Sequence, residues 1–267
     1  MKRNILYWII AFVVTIASAI FQRITGPTYP TKGTVVLGGK EYRYSFPTSH
    51  ESSSDCELEV KTHGNNLSGM IAWRRFGTND FWTVQPMQFD EGSLHASLPH
   101  QPPAGKLEYF AIIRQDSLNT MMPSRIPAVI RFKGSVPPGI LLVHIIAMFA
   151  GMLFSTRAGI SAAVNESSMN GLTYWATGCL VMGGLMLGPL VQKYAFGGFW
   201  TGWPFGNDLT DNKTVVAVAM WIVSTFLIRL KKGPRKLIIW SAVITLAVYM
   251  IPHSLFGSDL NYSGTAH

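Results

Sequence analysis

Two histidines, a run of methionines, two loop tryptophans and a pair of aspartates carry whatever ligand chemistry this sequence offers. His144 lies about six residues inside an apolar run, roughly 9 Å below its start at 1.5 Å per residue. An ionisable residue at that depth of a membrane segment marks a candidate site. The plainer reading is a neutral imidazole bonded to a carbonyl or serine on the next helix. Met148 and Met152 follow at i+4 and i+8, which on a helix places them on the His144 face. Imidazole with thioether is a ligand set for haem iron or for copper. Methionine also fills irregular helix contacts, and this chain has 12 of them.

His253 follows Tyr249-Met-Ile-Pro at the end of the last apolar run, where it reads either as a second ligand or as a helix-end residue. Asp208 and Asp211, with Asn207 and Asn212, offer oxygen ligands for a hard cation but lack the EF-hand spacing. Capping is the simpler account, with Asp211 or Asn212 accepting the first free N–H groups of the helix that begins near Val215. Trp200 and Trp203 stand between these residues and the preceding apolar run.

All of these belong to, or flank, the stretch Tyr194 to Thr214, a polar-aromatic loop between two membrane-length runs. Irregular backbone beside a bilayer persists where it is packed or lines a polar cavity, and Trp favours the interface. The positioning elements follow from hydropathy. With 267 residues, 48% hydrophobic, 13% charged and mean hydropathy +0.23, the chain reads as an integral membrane protein with room for one small domain. Apolar runs cover Ile140 to Phe154, Leu172 to Val191, Val215 to Leu230 and Leu237 to Ile251, and predict four helices within 138–256. Residues 1–22 predict a transmembrane anchor or a signal peptide, with Ala17-Ser-Ala19 a plausible cleavage site.

Much of the formal charge of +8 lies in the loop Arg229 to Lys236. That is a topology mark and not a nucleic-acid surface; it predicts this loop inside and the 194–214 loop and the 257–267 tail outside. Cys56 and Cys179 fall in a polar and an apolar segment, so no disulfide is expected between them. The sequence has no CxxC, HExxH, GxSxG or phosphate-binding glycine loop, which removes the usual support for most enzyme classes. Gly184 with Gly188, and Ala147 with Gly151, have the spacing that lets helices approach closely.

Between the first two apolar runs, residues 34–134 alternate in short strands broken by Gly, Pro and Asn. Cys56, Leu58 and Val60 alternate with Glu57, Glu59 and Lys61; Met70 to Phe76, Phe81 to Val84, Leu94 to Leu98 and Leu107 to Ile113 add further strands. About seven strands in ~100 residues predict a β-sandwich. The segments Phe81-Trp-Thr-Val-Gln-Pro-Met87, Leu94-His-Ala-Ser-Leu-Pro99 and Gly105-Lys-Leu-Glu-Tyr-Phe-Ala111 resemble those of bacterial fibronectin type III and immunoglobulin-like surface modules. That resemblance implies spacing or docking and no catalysis. Pro137-Pro138-Gly139 ends the domain.

A second, local resemblance lies in Gly198-Phe-Trp-Thr-Gly-Trp-Pro-Phe-Gly-Asn-Asp208, which is similar to the tryptophan-rich external loop of haem-handling cytochrome c assembly proteins. In that family aromatic residues hold a haem face and flanking histidines ligate iron. Here the Trp-x-Trp-Asp core is interrupted by Gly202, Pro204-Phe-Gly206 and Asn207. The resemblance implies haem as cofactor, with His144 and His253 as axial ligands, Trp200 and Trp203 flanking the macrocycle, and Asp208 orienting a histidine or a propionate partner. The resulting expectation is a bacterial inner-membrane helical bundle with an exported immunoglobulin-like β-sandwich and an outer-surface site binding haem. Two alternatives stand beside it. One is a non-catalytic accessory subunit docking an exported or membrane partner; the other is a copper or divalent-metal protein using His144, Met148 and Met152, or Asp208 and Asp211, with His144, His253 and Met148 as the candidate metal ligands.

Overall fold

The structure is a computed structural model that describes residues 2–62, 67–252, 260 and 262. The chain divides into two compact units, one of residues 1–27 and 136–258, the other of residues 28–135 and 259–267. The first is helical. It comprises α1 (Lys2–Thr25), α2 (Pro138–Ala163), α3 (Met169–Leu180) running through a π-helical stretch (Val181–Leu187) into α4 (Gly188–Phe196), then α5 (Leu209–Arg229) and α6 (Arg235–Met250). α1, α2, the continuous helix Met169–Phe196 and α5 are each long and apolar enough to cross a membrane. α6, expected as a fifth span, has 16 residues, about 24 Å of helix against ~30 Å of hydrocarbon. Gly233-Pro234 and Pro252 bracket it, and proline neither donates to a preceding turn nor tolerates helix before it.

Inside this unit the contacts run through small and singly polar residues, as expected where lipid removes any net hydrophobic drive between helices. A Cβ on Gly151 would stand 2.8 Å from Leu180, and one on Gly183 would stand 3.1 Å from the Cβ of Ala147. The Ala147/Gly151 pair therefore is a close-approach face of α2. Trp221, fully buried, donates its indole N–H to Thr245 at 2.8 Å, and hydroxyl pairs join Ser224 to Ser241 and Thr177 to Thr225. α1 is tied in at both ends. Near its start Asn4 accepts from the buried Arg157, whose guanidinium also bonds Ser161 and Glu166; near its end Gln22 donates to the Tyr249 and Ile251 carbonyls.

The π-helical stretch has a cause in the sequence. Pro189 has no N–H for the carbonyl of Leu185 four residues back, and its ring crowds that carbonyl. Widening the preceding turn relieves the clash, and the N–H of Gly188 reaches Gly183 O, five residues back.

The second unit is β-structured: β1 (Thr31–Leu37), β2 (Lys40–Phe46), β3 (Ser49–Glu51), β4 (Cys56–Lys61), β5 (Ser68–Arg75), β6 (Thr83–Pro86), β7 (Gln88–Asp90), β8 (Ser93–Leu98), β9 (Lys106–Gln115), β10 (Leu118–Met122) and β11 (Ala128–Lys133). They form a hairpin β1-β2, a sheet ordered β3-β11-β9-β5-β6 with β10 on β9, and a sheet ordered β4-β8-β7. All pairings are antiparallel except β3 with β11. The β1-β2 turn uses Gly38 and Gly39 at φ +57° and +76°, the left-handed pair that matches strand twist in a two-residue hairpin. β4 alternates buried Cys56, Leu58 and Val60 with outward Glu57, Glu59 and Lys61, as its pattern predicts. Inward residues of all three sheets make one core, including Tyr42, Phe46, Ile71, Leu94, Leu107, Tyr109, Ile113 and Phe132. The described strands outnumber the expected seven because β3 and β7 have three residues each, too few for an alternation to show, and β1 begins ahead of Thr34. Both cysteines are free thiols.

Candidate functional site

α4 ends at Gly197, φ +90°, whose N–H bonds Lys193 O; the left-handed residue stops the helix and turns the chain into the loop. Asp208 is the N-cap of α5, its carboxylate accepting the Thr210 N–H at 2.7 Å. Asp211 and Asn212, expected as caps, do something else. Asp211 accepts the backbone N–H groups of Thr201 and Gly202 at 2.7 and 2.9 Å, and Asn212 accepts that of Trp203 at 2.6 Å. The first turn of α5 thus holds the loop's backbone down. A Cβ on Gly202 would stand 2.7 Å from the Asn212 side-chain oxygen, so glycine is required for that approach. Gln192 of α4 donates to the Thr201 hydroxyl at 2.6 Å, and Thr201 donates to Asp208 at 3.1 Å.

Beneath the loop, within the helical unit, lies a cavity of about 360 Å³. Apolar side chains of α2 make much of its wall, among them Leu141, Ile145, Met148, Phe149 and Met152; Val191 of α4 closes it. Its polar lining is Gln22, His144, Gln192, Asp208, Thr210, Asp211, Thr214 and Tyr249. This size and this mixture of an apolar wall with a few convergent polar groups are those of a small-molecule pocket.

His144 is bonded by its Nδ1 to Gly183 O at 3.0 Å. A carbonyl only accepts, so Nδ1 carries the proton and Nε2 keeps its lone pair. That carbonyl belongs to the π-helical stretch forced by Pro189, so the imidazole is oriented by a helix distortion 39 residues along the chain from it. The geometry is the carbonyl-bonded histidine of the plainer reading, and in the neutral ring Nε2 is an acceptor.

The structure brings together only part of the expected site. His144, Met148, Met152, Asp208 and Asp211 share the cavity. Trp200 and Trp203 do not line it: the Trp200 indole N–H donates to Trp203 O at 3.0 Å, and Trp203 is 76% exposed. The cause is the anchoring of the loop by its backbone, which leaves the rings outward. His253 lies outside the described residues. Among the described residues no three His, Cys, Asp or Glu side chains gather as a metal site. A haem fits the described lining poorly, since the expected walls Trp200 and Trp203 stand outside it and a propionate would meet Asp208 and Asp211.

Five polar members of the lining, Gln22, Gln192, Thr210, Thr214 and Tyr249, carried no mark in the sequence. Gln22 and Tyr249 sit in apolar runs where they read as filler, and Gln192 and Thr214 as helix-end polarity. Sequence reasoning also missed Lys213, buried, whose ammonium donates to Ile251 O at 2.6 Å and Pro252 O at 3.4 Å at the end of α6. A cation there complements the carbonyl end of the helix. The legible trace of Lys213 was a lone lysine at the mouth of an apolar run. No protein-family model matches the sequence, and no curated protein matches it.

Proposed function

We propose that this chain is an inner-membrane binding protein that holds a small, largely apolar molecule in the cavity of its helical unit and presents an exported immunoglobulin-like module to a protein partner. The cavity carries the reading. It is walled by α2 and α4, closed by groups from α1, α5 and α6, and its two acidic residues, Asp208 and Asp211, share the lining with Gln192. The cluster Arg229, Lys231, Lys232, Arg235 and Lys236 marks the opposite ends of α5 and α6 as cytoplasmic. The loop, the cavity mouth and the connections into the β unit then share the outer side, with the exposed rings of Trp203 and Phe205 at headgroup depth.

Strand order supports the immunoglobulin-like reading of the β unit. β4, β8 and β7 stand as strands B, E and D of that fold, and β5, β9 and β11 as C, F and G, with β6 extending the sheet from C and β3 lying parallel on G. Cys56 is on the B-type strand, Trp73 on the C-type strand, and Tyr109-Phe110-Ala111 on the F-type strand, where a disulfide domain carries its second cysteine two residues after a tyrosine. Here that position is Ala111, and the core closes without a bridge. Such modules space and dock; the exposed Phe81, Val84, Met70 and Met121 are available for a partner.

Native mass spectrometry of the full chain released from detergent tests the binding function. The expected result is a small-molecule adduct on the wild type that disappears in Val191→Trp, which fills the cavity, and survives in Met148→Leu, which conserves its volume. Bare polypeptide mass in all three would remove the reading. An absorption spectrum of the same preparation tests haem, and a Soret band would restore it as the ligand.

A further inference from the structure

Cations gather at one end of the helical unit. Lys2 and Arg3 begin α1, Arg229 ends α5, Lys231 and Lys232 lie in the turn that follows, and Arg235 and Lys236 begin α6. Two sets of hydrogen bonds bring these segments to one level. Arg157, in the last turns of α2, donates to Asn4 of α1 at 2.7 Å, and Arg235 donates to the Ala162 and Ala163 carbonyls at the end of α2 at 2.6 and 2.8 Å. α6 packs against both α1 and α5, so the cations of the three helices form one continuous arc. All of them are exposed, and none is in an ion pair among the described residues.

The arc is one-sided. The turn between α2 and α3, residues 164–168, has no lysine or arginine, and its acid, Glu166, is bonded to Arg157. An orientation signal needs cations on the inner side of the spans and does not require them to converge on one flank. The turn after α5 carries a second sign. Lys231 has φ +56°, its N–H bonds Ile228 O, and the N–H of Lys232 bonds Leu227 O, which is the helix-closing pattern whose left-handed residue is usually glycine. A lysine there is less favourable than glycine, so backbone geometry alone does not select it.

What adjoins the arc fixes the class of partner. Ile5, Leu6 and Ile9 of α1, Phe226 and Leu230 of α5 and Trp240 of α6 are exposed apolar residues within two helical turns of the cations. A cationic rim above an apolar wall is complementary to a phospholipid, with phosphate at the rim and acyl chains along the wall. Nucleic acid would use the rim and leave the wall uncovered. We propose that this arc is a binding surface for anionic phospholipid, with Lys2, Arg3, Lys231, Lys232 and Lys236 at the headgroups. Basic clusters at the membrane surface select anionic over zwitterionic lipid, and salt weakens the selection. The surface is separate from the cavity and does not depend on which side of the membrane the arc faces.

The test reconstitutes the full chain in nanodiscs of equal palmitoyl-oleoyl phosphatidylcholine and phosphatidylglycerol, re-extracts it in detergent, and quantifies the co-purifying lipids by mass spectrometry. Phosphatidylglycerol is expected to exceed phosphatidylcholine about fivefold, and to lose that excess in about 1 M sodium chloride, where the Debye length is about 3 Å. The triple variant Lys231→Gln, Lys232→Gln, Lys236→Gln is expected to bring the ratio toward one. Lys193→Gln, at the other end of the unit, is expected to leave it unchanged. Lys231→Gly removes one charge while relieving the left-handed lysine, so it is expected to lower the ratio with no loss of thermal stability. Equal amounts of the two lipids on the wild type would overturn the proposal, as would an excess that persists in both the triple variant and Lys231→Gly. The wild-type ratio and Lys231→Gly decide the matter even if the triple variant fails to fold.

Discussion

His144 and Pro189 act on the same turn of helix, one by accepting its distorted geometry and the other by causing it. A single residue's chemistry here is set by what its neighbours have already bonded. Cys56 shows this in the β unit: it is fully buried in the core, and burial pushes its thiol up to about 11. Thiolate is the reactive form, so Cys56 should resist alkylation by maleimide at pH 8 in the folded protein and react once it is unfolded. Labelling at equal rates in both states would show that the core is open there. Glu166 is the opposite case. The hydrogen bond from Arg157 holds its carboxyl below its ordinary value of 4.5, outweighing desolvation. A depressed folded-state value means the contribution is present above 4.5 and lost as pH falls through the lowered value. Thermal melts should therefore show stability falling as the medium is acidified below about 4.5, with Glu166→Gln flattening part of that fall. An identical pH profile in the variant would mean that the Arg157 pair contributes nothing.

At the scale of elements, α1 is bound to the bundle by specific contacts. Arg157, 1% exposed, bonds Asn4 at 2.7 Å and lies over the rings of Tyr7 and Trp8 at 5.4 and 5.5 Å, while Trp8 meets Phe154 edge-on at 6.0 Å. Cutting α1 away would take the Asn4 bond from a buried guanidinium that keeps its Glu166 pair, a loss of about 1.5–3 kcal/mol for a hydrogen bond to a charged group. It would also expose the α6 carbonyls that Gln22 caps. The mature protein is therefore expected to retain Lys2–Thr25, and the intact mass of membrane-extracted protein checks it. A mass corresponding to a chain beginning near Ile20 would show cleavage after Ala19. Among the two readings of the N-terminal segment, this packing favours the anchor.

For the whole molecule, the decisive question is how many times the chain crosses. If the proposed orientation holds, with the Lys/Arg cluster on the inner side, a periplasm-active reporter fused after Asp211 should work and one fused after Gly233 should fail. The fusion after His267 measures α6. Activity there means the 16-residue helix spans, its short length met by Gln22 and Lys213 satisfying the carbonyls at its end; silence means it returns on the cytoplasmic side. Activity at Gly233 would overturn the orientation and move the cavity mouth to the cytoplasm. Residues 28–135 hold a complete core of their own and should fold when expressed alone, as far-UV dichroism would show.

Sequence alone determined the apolar membrane-length character, four of the five expected spans as long helices, the position of the β segment and the alternation of β4, because hydropathy and period-two patterns are local properties that survive in one dimension. It also marked His144 and Asp208 as chemistry-bearing. Tertiary structure decided which of the marked residues meet. Trp200 and Trp203 looked like ligand walls, but Asp211 and Asn212 bind the loop's backbone and turn the rings out. Gln22 and Tyr249 looked like filler and Gln192 like helix-end polarity, yet they reach one cavity from three helices spread over more than two hundred residues of chain. Which hydrogen-bonding groups of a side chain are already used is likewise invisible in sequence, since that depends on the partners the fold has placed beside it.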